Sequence, residues 1–400
     1  MVRFLHTADW HLGIKYAKLG PSAERARETR IRVAEKIAYI AKQNNVDFVI
    51  VAGDLFDSNE VDRELIAAAS KIVEGFAPIP VFILPGNHDP LTRDSLYLDP
   101  SWKSFGHVVI CKTKEPLKLP HANVILYPCP VTQKQTREDL TEWIRAEGES
   151  ISIGIAHGNL RTRGLEDVNF PIDAQRARKA GLDYLALGEW HSLSKCQGED
   201  GIVRTAYPGT PEATKFGEDG SGKILLVDIE GRGAQPVIRE IETGVLKWER
   251  WWRDMYSVED VKHLERELTE LQEPQLRIIN VYCRGMVDHE VMSRLESLEM
   301  RHAKNFLSFD IIKDEVHLRP NIVDLKALMP QGALFSRIVD AIGVLRSRYA
   351  TRETHPEMSP EETQRVLREI REIDTAVTAS PEVLDKAILL LYQLAKEISR

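Results

Sequence analysis

Cysteine is scarce in this chain of 400 residues: Cys111, Cys129, Cys196 and Cys283 lie far apart. No Cys-x-x-Cys pair and no Cys/His zinc spacing occurs, which removes the usual structural zinc sites. A chain this long needs no disulfides to stabilise its core, so reduced thiols in a cytoplasm are the simplest expectation. Long apolar runs are also missing. Nothing approaches the roughly 20 residues of a membrane span, and the N-terminus opens directly on Val2-Arg3-Phe4-Leu5-His6 without a signal-type apolar stretch. An excess of positive charge is absent as well. With 53 Lys and Arg against 61 Asp and Glu, the net charge is −8. That excludes a generally basic nucleic-acid coat, but not a local patch. No internal repeat and no low-complexity tract appears. One apparent P-loop fails: Gly217 to Lys223 fits the glycine-lysine spacing, but Ile224 stands where Ser or Thr is needed, and strand text follows.

What is present is an alternation of short apolar runs and helical text. Strands are expected at 2–7, 47–52, 81–84, 107–111, 122–127, 151–156, 184–187, 202–206 and 223–229. Helices are expected near 22–44, 60–76, 133–147 and 173–180. Apolar strands separated by helices read as parallel units covered on both faces. The expected fold is α/β, a layered β-sandwich flanked by helices over residues 1–245. A small α+β module follows at 246–320, with strands near 275–283 and 306–318 around a helix at 288–304. Helical text fills 321–400, where Ser359-Pro360-Glu361 and Ser380-Pro381-Glu382 open helices with a cap, a first-turn proline and an acidic side chain.

The strand ends carry the chemistry. Asp9 and His11 are two residues apart after the first strand and share a face. Asp54 follows the second strand, placed to bridge two ions. Asn87 follows the third, His157 the strand Ile153–Ala156, and Glu189 and His191 the strand Tyr184–Leu187. Each piece alone is ordinary: Gly-Asp is a common turn and Asn-His-Asp a common cap. Seven oxygen or imidazole donors at five strand ends point instead to a pair of divalent metals. Two such ions make a water-derived nucleophile available near neutral pH and neutralise phosphate oxygens.

These motifs resemble the calcineurin-like metallophosphoesterases. Within that superfamily, His6–Gly13, Gly53-Asp54-Leu55-Phe56-Asp57, Gly86-Asn87-His88-Asp89 and Ala156-His157-Gly158 resemble the SbcD/Mre-eleven nucleases of DNA double-strand-break repair. The resemblance implies one metal on Asp9, His11, Asp54 and His191, and a second on Asp54, Asn87, His157 and residue 189. It implies Mn2+, with Mg2+ as the alternative. His88 would protonate the leaving oxygen, and Asp57 would orient it, although a helix-start carboxylate is an equal reading of Asp57. The family pattern is Gly-His-x-His, whereas this chain has Gly188-Glu189-Trp190-His191, so the second metal position departs from type. Lys15, Lys18, Arg161 and Arg163 flank the site loops and are candidate contacts for DNA phosphates. Arg25, Arg27, Arg30 and Arg32 continue the first basic group, interleaved with Glu24, Glu28 and Glu35, so a solvated helix face fits equally.

The implied function is a metal-dependent DNA nuclease subunit, exonuclease with endonuclease capability, acting on DNA with a coiled-coil SbcC-like ATPase and as a homodimer. Two alternatives remain open at this point. One is a phosphoesterase acting on nucleotides, small phosphodiesters or phosphoproteins. The other is a DNA-binding scaffold with catalysis impaired by Glu189.

Overall fold

The computed structural model describes residues 1–161 and 168–319, together with Ile338, Ala341, Ile342, Val383, Ala387, Ile388, Leu390 and Leu391. The expected C-terminal helices and Arg163 therefore lie outside the described residues.

Among the described residues up to 319, seventeen strands and five α-helices run in the order β1 (Val2–Thr7), α1 (Ala23–Gln43), β2 (Phe48–Ala52), α2 (Arg63–Glu74), β3 (Val81–Leu84), β4 (Val108–Ile110), β5 (Leu117–Leu119), β6 (Val124–Cys129), β7 (Ile151–His157), β8 (Asn159–Arg161), β9 (Pro171–Asp173), α3 (Arg176–Lys179), β10 (Tyr184–Gly188), β11 (Ser194–Gln197), β12 (Val203–Tyr207), β13 (Lys223–Ile229), β14 (Val237–Glu242), β15 (Lys247–Asp254), α4 (Val258–Glu270), β16 (Arg277–Val287), α5 (His289–His302) and β17 (Ser308–Leu318). The chain divides into two compact units. The first comprises Met1–Glu249 with Gln275–Ile278; the second comprises Arg250–Pro274 and the chain from Ile279 onward.

Two six-stranded sheets build the first unit, in the orders β14-β13-β1-β2-β3-β4 and β11-β12-β10-β7-β6-β5. The strands β1 to β4 are parallel, as are β6, β7, β10 and β12. Alternation along each strand sorts side chains between two layers. From β1 and β2, Phe4, Phe48 and Ile50 meet Leu126, Ile153, Ile155 and Tyr184 of the second sheet. Their neighbours Leu5, Val49 and Val51 pack against Ile37 and Ala41 of α1 and Ile72 and Val73 of α2. Because both faces are covered, β2 (FVIVA) is buried throughout. Asp62 caps α2, its carboxylate accepting from Leu65 N–H at 2.7 Å.

One expected helix is absent. Residues 133–147 form turns. The carboxylate of Asp139 accepts from Thr141 N–H at 2.9 Å, from Asp173 N–H at 3.0 Å and from the Arg176 guanidinium at 2.9 Å. A buried acceptor shared among three donors offers this segment more than a helical ladder does. The neighbouring helix shortens to the four residues of α3.

The second unit packs α4 and α5 with the sheet β15-β16-β17. Its core is apolar: Leu264, Leu268, Val281, Leu295, Leu298 and Phe309. Asp288 caps α5 by accepting from Val291 N–H at 2.9 Å.

Candidate metal centre

The loops after β1 and β2 are stitched together by main-chain hydrogen bonds. Asp9 N–H donates to Gly53 O at 3.1 Å, His11 N–H to Asp54 O at 3.0 Å, and Leu12 N–H to Leu55 O at 2.9 Å. Asp9, His11, Asp54 and Glu189 all have positive φ, at 55°, 42°, 51° and 108°. Such conformations cost of order 1–3 kcal/mol each and persist where surrounding structure enforces them, often at functional sites. Two glycines allow the close approach. A Cβ at Gly53 would lie 2.1 Å from His157 Nδ1, and one at Gly86 would lie 2.1 Å from Asp54 Oδ1.

Asp9, His11 and His191 form one cluster of donor atoms, and Asp9, Asp54 and His157 form another. All five residues are buried or half-buried. The three histidines are held in the same way. His157 Nδ1–H donates to Ala52 O at 3.0 Å, His11 Nδ1–H to Asp57 Oδ1 at 3.1 Å, and His191 Nδ1–H to Glu218 Oε1 at 2.6 Å. Each ring is thereby fixed in the tautomer that offers the Nε2 lone pair, the arrangement that outer partners impose on metal-binding imidazoles.

The Nε2 atoms then meet further donor atoms. His11 Nε2 lies 3.0 Å from His191 Nε2, lone pair facing lone pair. His157 Nε2 lies 3.0 Å from Asn87 Oδ1, 3.0 Å from Glu189 Oε2 and 3.4 Å from Asp54 Oδ2. Glu189 Oε2 is buried, with His157 Nε2 beside it. Lone pairs converging in this way need a positive charge between them, a proton or a metal ion. Two donors bound about 2.1 Å from one ion at right angles sit about 3 Å apart, the spacing found in both clusters. The residues therefore fit divalent ions: Asp9 is common to both clusters, and Asp54 Oδ2 lies 3.4 Å from His157 Nε2 and 3.8 Å from His11 Nε2.

Electrostatics shows the same demand. Burial alone would lower the basicity of His157, but Asp54 and Glu189 outweigh it and raise its pKa well above the ordinary value. Burial opposes the charge on Asp54 too, yet the attraction and hydrogen bond of His157, with His11 and His88 nearby, hold its carboxyl well below the usual range. For Asp9, burial dominates and pushes the carboxyl up.

His88 forms a third cluster with His11 and Asp57 and is its exposed member. It is half-exposed, and its ring sits edge-on to His11 with centroids 4.7 Å apart. Its Nδ1–H donates to the main-chain oxygen of Asp57 at 2.9 Å, which leaves Nε2 uncommitted. The side chain of Asp57 has a different partner from the one expected. Its Oδ1 is 3.9 Å from His88 Nδ1 but 3.1 Å from His11 Nδ1. Asp57 thus steadies His88 through its carbonyl and His11 through its carboxylate.

Sequence reasoning passed over two supporting carboxylates. Glu218 accepts from His191 and also from Thr214 N–H and Thr214 Oγ1, each at 2.6 Å. Burial pushes its carboxyl up, but the bond from His191 prevails and holds it at about 2. Its position in a glycine-rich loop 27 residues after His191 gave no local signal. Asp89 accepts from Gly86 N–H at 2.8 Å, Phe56 N–H at 2.9 Å and the Tyr97 hydroxyl at 2.5 Å, tying the second and third loops together. It lies inside the Gly-Asn-His-Asp motif, so its signal was visible.

Of the basic residues, Lys15, Lys18 and Arg161 are exposed. Arg30 is not part of any open basic face. It is 2% exposed, and its guanidinium donates to Trp10 O at 2.7 Å, the Tyr16 hydroxyl at 2.9 Å and Ala213 O at 3.0 Å. Its role is to pin α1 to the segment around residues 210–213.

Residues 2–226 match the family described as calcineurin-like phosphoesterase, and the chain belongs to that family. Among curated proteins, it is 25% identical over 290 residues to the D subunit of the nuclease SbcCD of Bacillus subtilis, covering 62% of this chain and 72% of that protein. It is 28% identical over 263 residues to "DNA double-strand break repair protein Mre11" of Aeropyrum pernix, covering 60% and 61%. An "Uncharacterized metallophosphoesterase YhaO" of Bacillus subtilis is 27% identical over 238 residues, covering 56% and 57%. The chain thus spans between 57% and 72% of the length of these relatives. Among the described residues, no helix is long and apolar enough to cross a membrane.

Proposed function

We propose that this chain is a metal-dependent DNA nuclease subunit that hydrolyses phosphodiester bonds during DNA-end processing or repair. One observation carries the reading: three histidines, each with Nδ1–H committed elsewhere, aim Nε2 into two donor clusters that share Asp9, with Asp54 Oδ2 within 3.8 Å of His11 and His157, beside the uncommitted Nε2 of His88. Manganese is the proposed ion, with magnesium as its substitute, because carboxylate and amide oxygens outnumber nitrogens across the two sets. When bound, the pair supplies a nucleophile near neutral pH and offsets charge on the phosphate. Asp9, His11, Asp54 and His191 would hold one ion, and Asp54, Asn87, His157 and Glu189 the other.

The chain's own groups do the rest. Protonated His88 keeps Nδ1–H on the Asp57 carbonyl and presents Nε2–H to the leaving ribose oxygen, acting as general acid. Asp57 and Glu218 stop the His11 and His191 rings from turning. Lys15, Lys18, Arg161 and Arg163 are proposed to hold the flanking DNA phosphates, which require only cationic or amide donors. Exonuclease and endonuclease modes, an SbcC-like ATPase partner, a homodimeric state and a cytoplasmic setting are proposed on the family resemblance. The Bacillus subtilis nuclease relative is one subunit of SbcCD, which supports assembly with another chain.

The test is direct. Purified protein with Mn2+ should degrade linear DNA, and His88→Ala should slow cleavage by about 10²–10⁴-fold with bound metal unchanged. Turnover of bis(p-nitrophenyl) phosphate without any on DNA would replace the nuclease by a small-phosphodiester enzyme. DNA binding without turnover in any metal would leave a scaffold.

A further inference from the structure

We infer that Glu189 makes the two ion positions chemically unlike, so that the centre is built for a mixed pair. A hard, oxygen-seeking ion such as Mg2+ or Mn2+ would occupy the Glu189 position, and a borderline, imidazole-favouring ion such as Co2+ the other. The inference rests on the two-metal reading above and concerns which ions that site selects.

The two donor sets differ in kind. Asp9, His11 and His191, with Asp54 3.8 Å from His11 Nε2, offer two imidazole nitrogens and two carboxylates. Asp54, Asn87, His157 and Glu189 offer one nitrogen, an amide oxygen and two carboxylates. The three oxygens lie 3.0 to 3.4 Å from the single nitrogen. Imidazole favours the later transition metals, whereas carboxylate and carbonyl oxygens suit Mg2+ and Mn2+. A histidine at position 189 would give the second set two nitrogens and make the positions alike.

Glu189 is committed to this place. Its Oε2 is buried and lies 3.0 Å from His157 Nε2, the nitrogen of the same donor set. Its main-chain N–H donates to both carboxylate oxygens of Asp9, at 3.1 and 3.2 Å, which links the residue to the opposite set. Its φ of 108° is a conformation that side chains rarely adopt. The carboxylate also changes the charge balance. Asp9, Asp54 and Glu189 carry −3 against +4 from two divalent ions, leaving +1. A histidine at 189 would leave +2.

The experiment uses the full chain, stripped with a chelator and dialysed against Co2+ alone, Mg2+ alone, and limiting Co2+ with excess Mg2+. Bound ions are counted by elemental analysis. Wild type should bind one Co2+ tightly and take its second ion from Mg2+. In Glu189→His, the second Co2+ should bind at concentrations at least about tenfold lower and exclude Mg2+, a change at the lower end of ligand-shell effects. Glu189→Gln, nearly isosteric, should lose at least about tenfold in Mg2+ affinity while keeping the tight Co2+. It serves alone if the histidine variant fails to melt cooperatively. Two equally tight Co2+ ions in wild type, or Mg2+ affinity unchanged in Glu189→Gln, would overturn the inference and leave two metals standing. A wild-type chain that binds no more than one ion of any kind would instead sink the two-metal reading itself.

Discussion

The two compact units fill their interiors with different material. In the first, His6, Asp9, His11, Arg30, Asp54, Asp89, His157, Asp183, Glu212 and Glu218 are all buried. In the second, the described core is hydrocarbon and thioether or thiol, from Met255 and Val261 to Phe309 and Ile311, and His302 is its one buried polar side chain among the described residues. Burying a charged or polar group costs several kcal/mol unless partners compensate. The first unit accepts that cost at the strand ends, where the donors converge, and recovers it through bonds such as those of Arg30 and Glu212. Its loops are therefore shaped by chemistry, whereas the second unit is shaped by packing.

Removing a shared polar group should break this contrast most severely. Asp54→Ala takes away the carboxylate between the two sets. The expected loss is at least several kcal/mol of transition-state stabilisation, on the order of 10³-fold or more in rate. Elemental analysis should show both ions lost. A variant that keeps one ion at full affinity would show that Asp54 does not serve both positions.

In the second unit, the matching change is a cavity. Leu295 is fully buried among apolar neighbours. Leu295→Ala should destabilise that unit by about 2–5 kcal/mol. Hydrogen exchange should report faster opening of α5 and β17, while the chain still binds two ions. Loss of an ion in this variant would mean that the centre depends on the second unit's packing.

This contrast also explains what could be read in advance. Strands β1, β2, β3, β7 and β10 were legible because apolar runs in covered sheets leave a strong pattern, and motifs at their ends mark the donors. The absent helix at 133–147 was not legible, because the turns there depend on Asp139 meeting Asp173 and Arg176 more than 30 residues away. Arg30 looked like part of a basic face because helical spacing hides which side is covered; its partners at 210–213 are distant in sequence. Asp57 was readable as a member of its motif, but not the division of its carbonyl and carboxylate between two histidines. Long-range polar partners leave no local periodicity, so the supporting groups are harder to read than the core.

The mildest test separates a buried histidine that serves the fold from those that serve the site. His6 lies three residues before Asp9 and is fully buried between the sheets. Its Nε2–H donates to Leu187 O at 3.1 Å, so its Nδ1 accepts from the Tyr184 hydroxyl at 3.0 Å. Burial lowers its pKa to about 3, against the upward pull of the Leu187 carbonyl. Its folded pKa is thus below the unfolded value of about 6.5. Between these values the unfolded chain binds more protons, so stability rises with pH there and is lost as pH falls from about 6.5 toward 3. Above about pH 6.5, His6 contributes no slope. In chelator-treated protein, His6→Gln should therefore lose less stability than wild type between pH 7.5 and pH 5, by roughly 2 kcal/mol. Urea unfolding at the two pH values measures the difference, and comparing the two proteins cancels titration of the ion ligands common to both. Equal losses would mean that His6 is protonated in the fold at pH 5, with Nδ1–H donating to the Tyr184 hydroxyl instead of accepting from it.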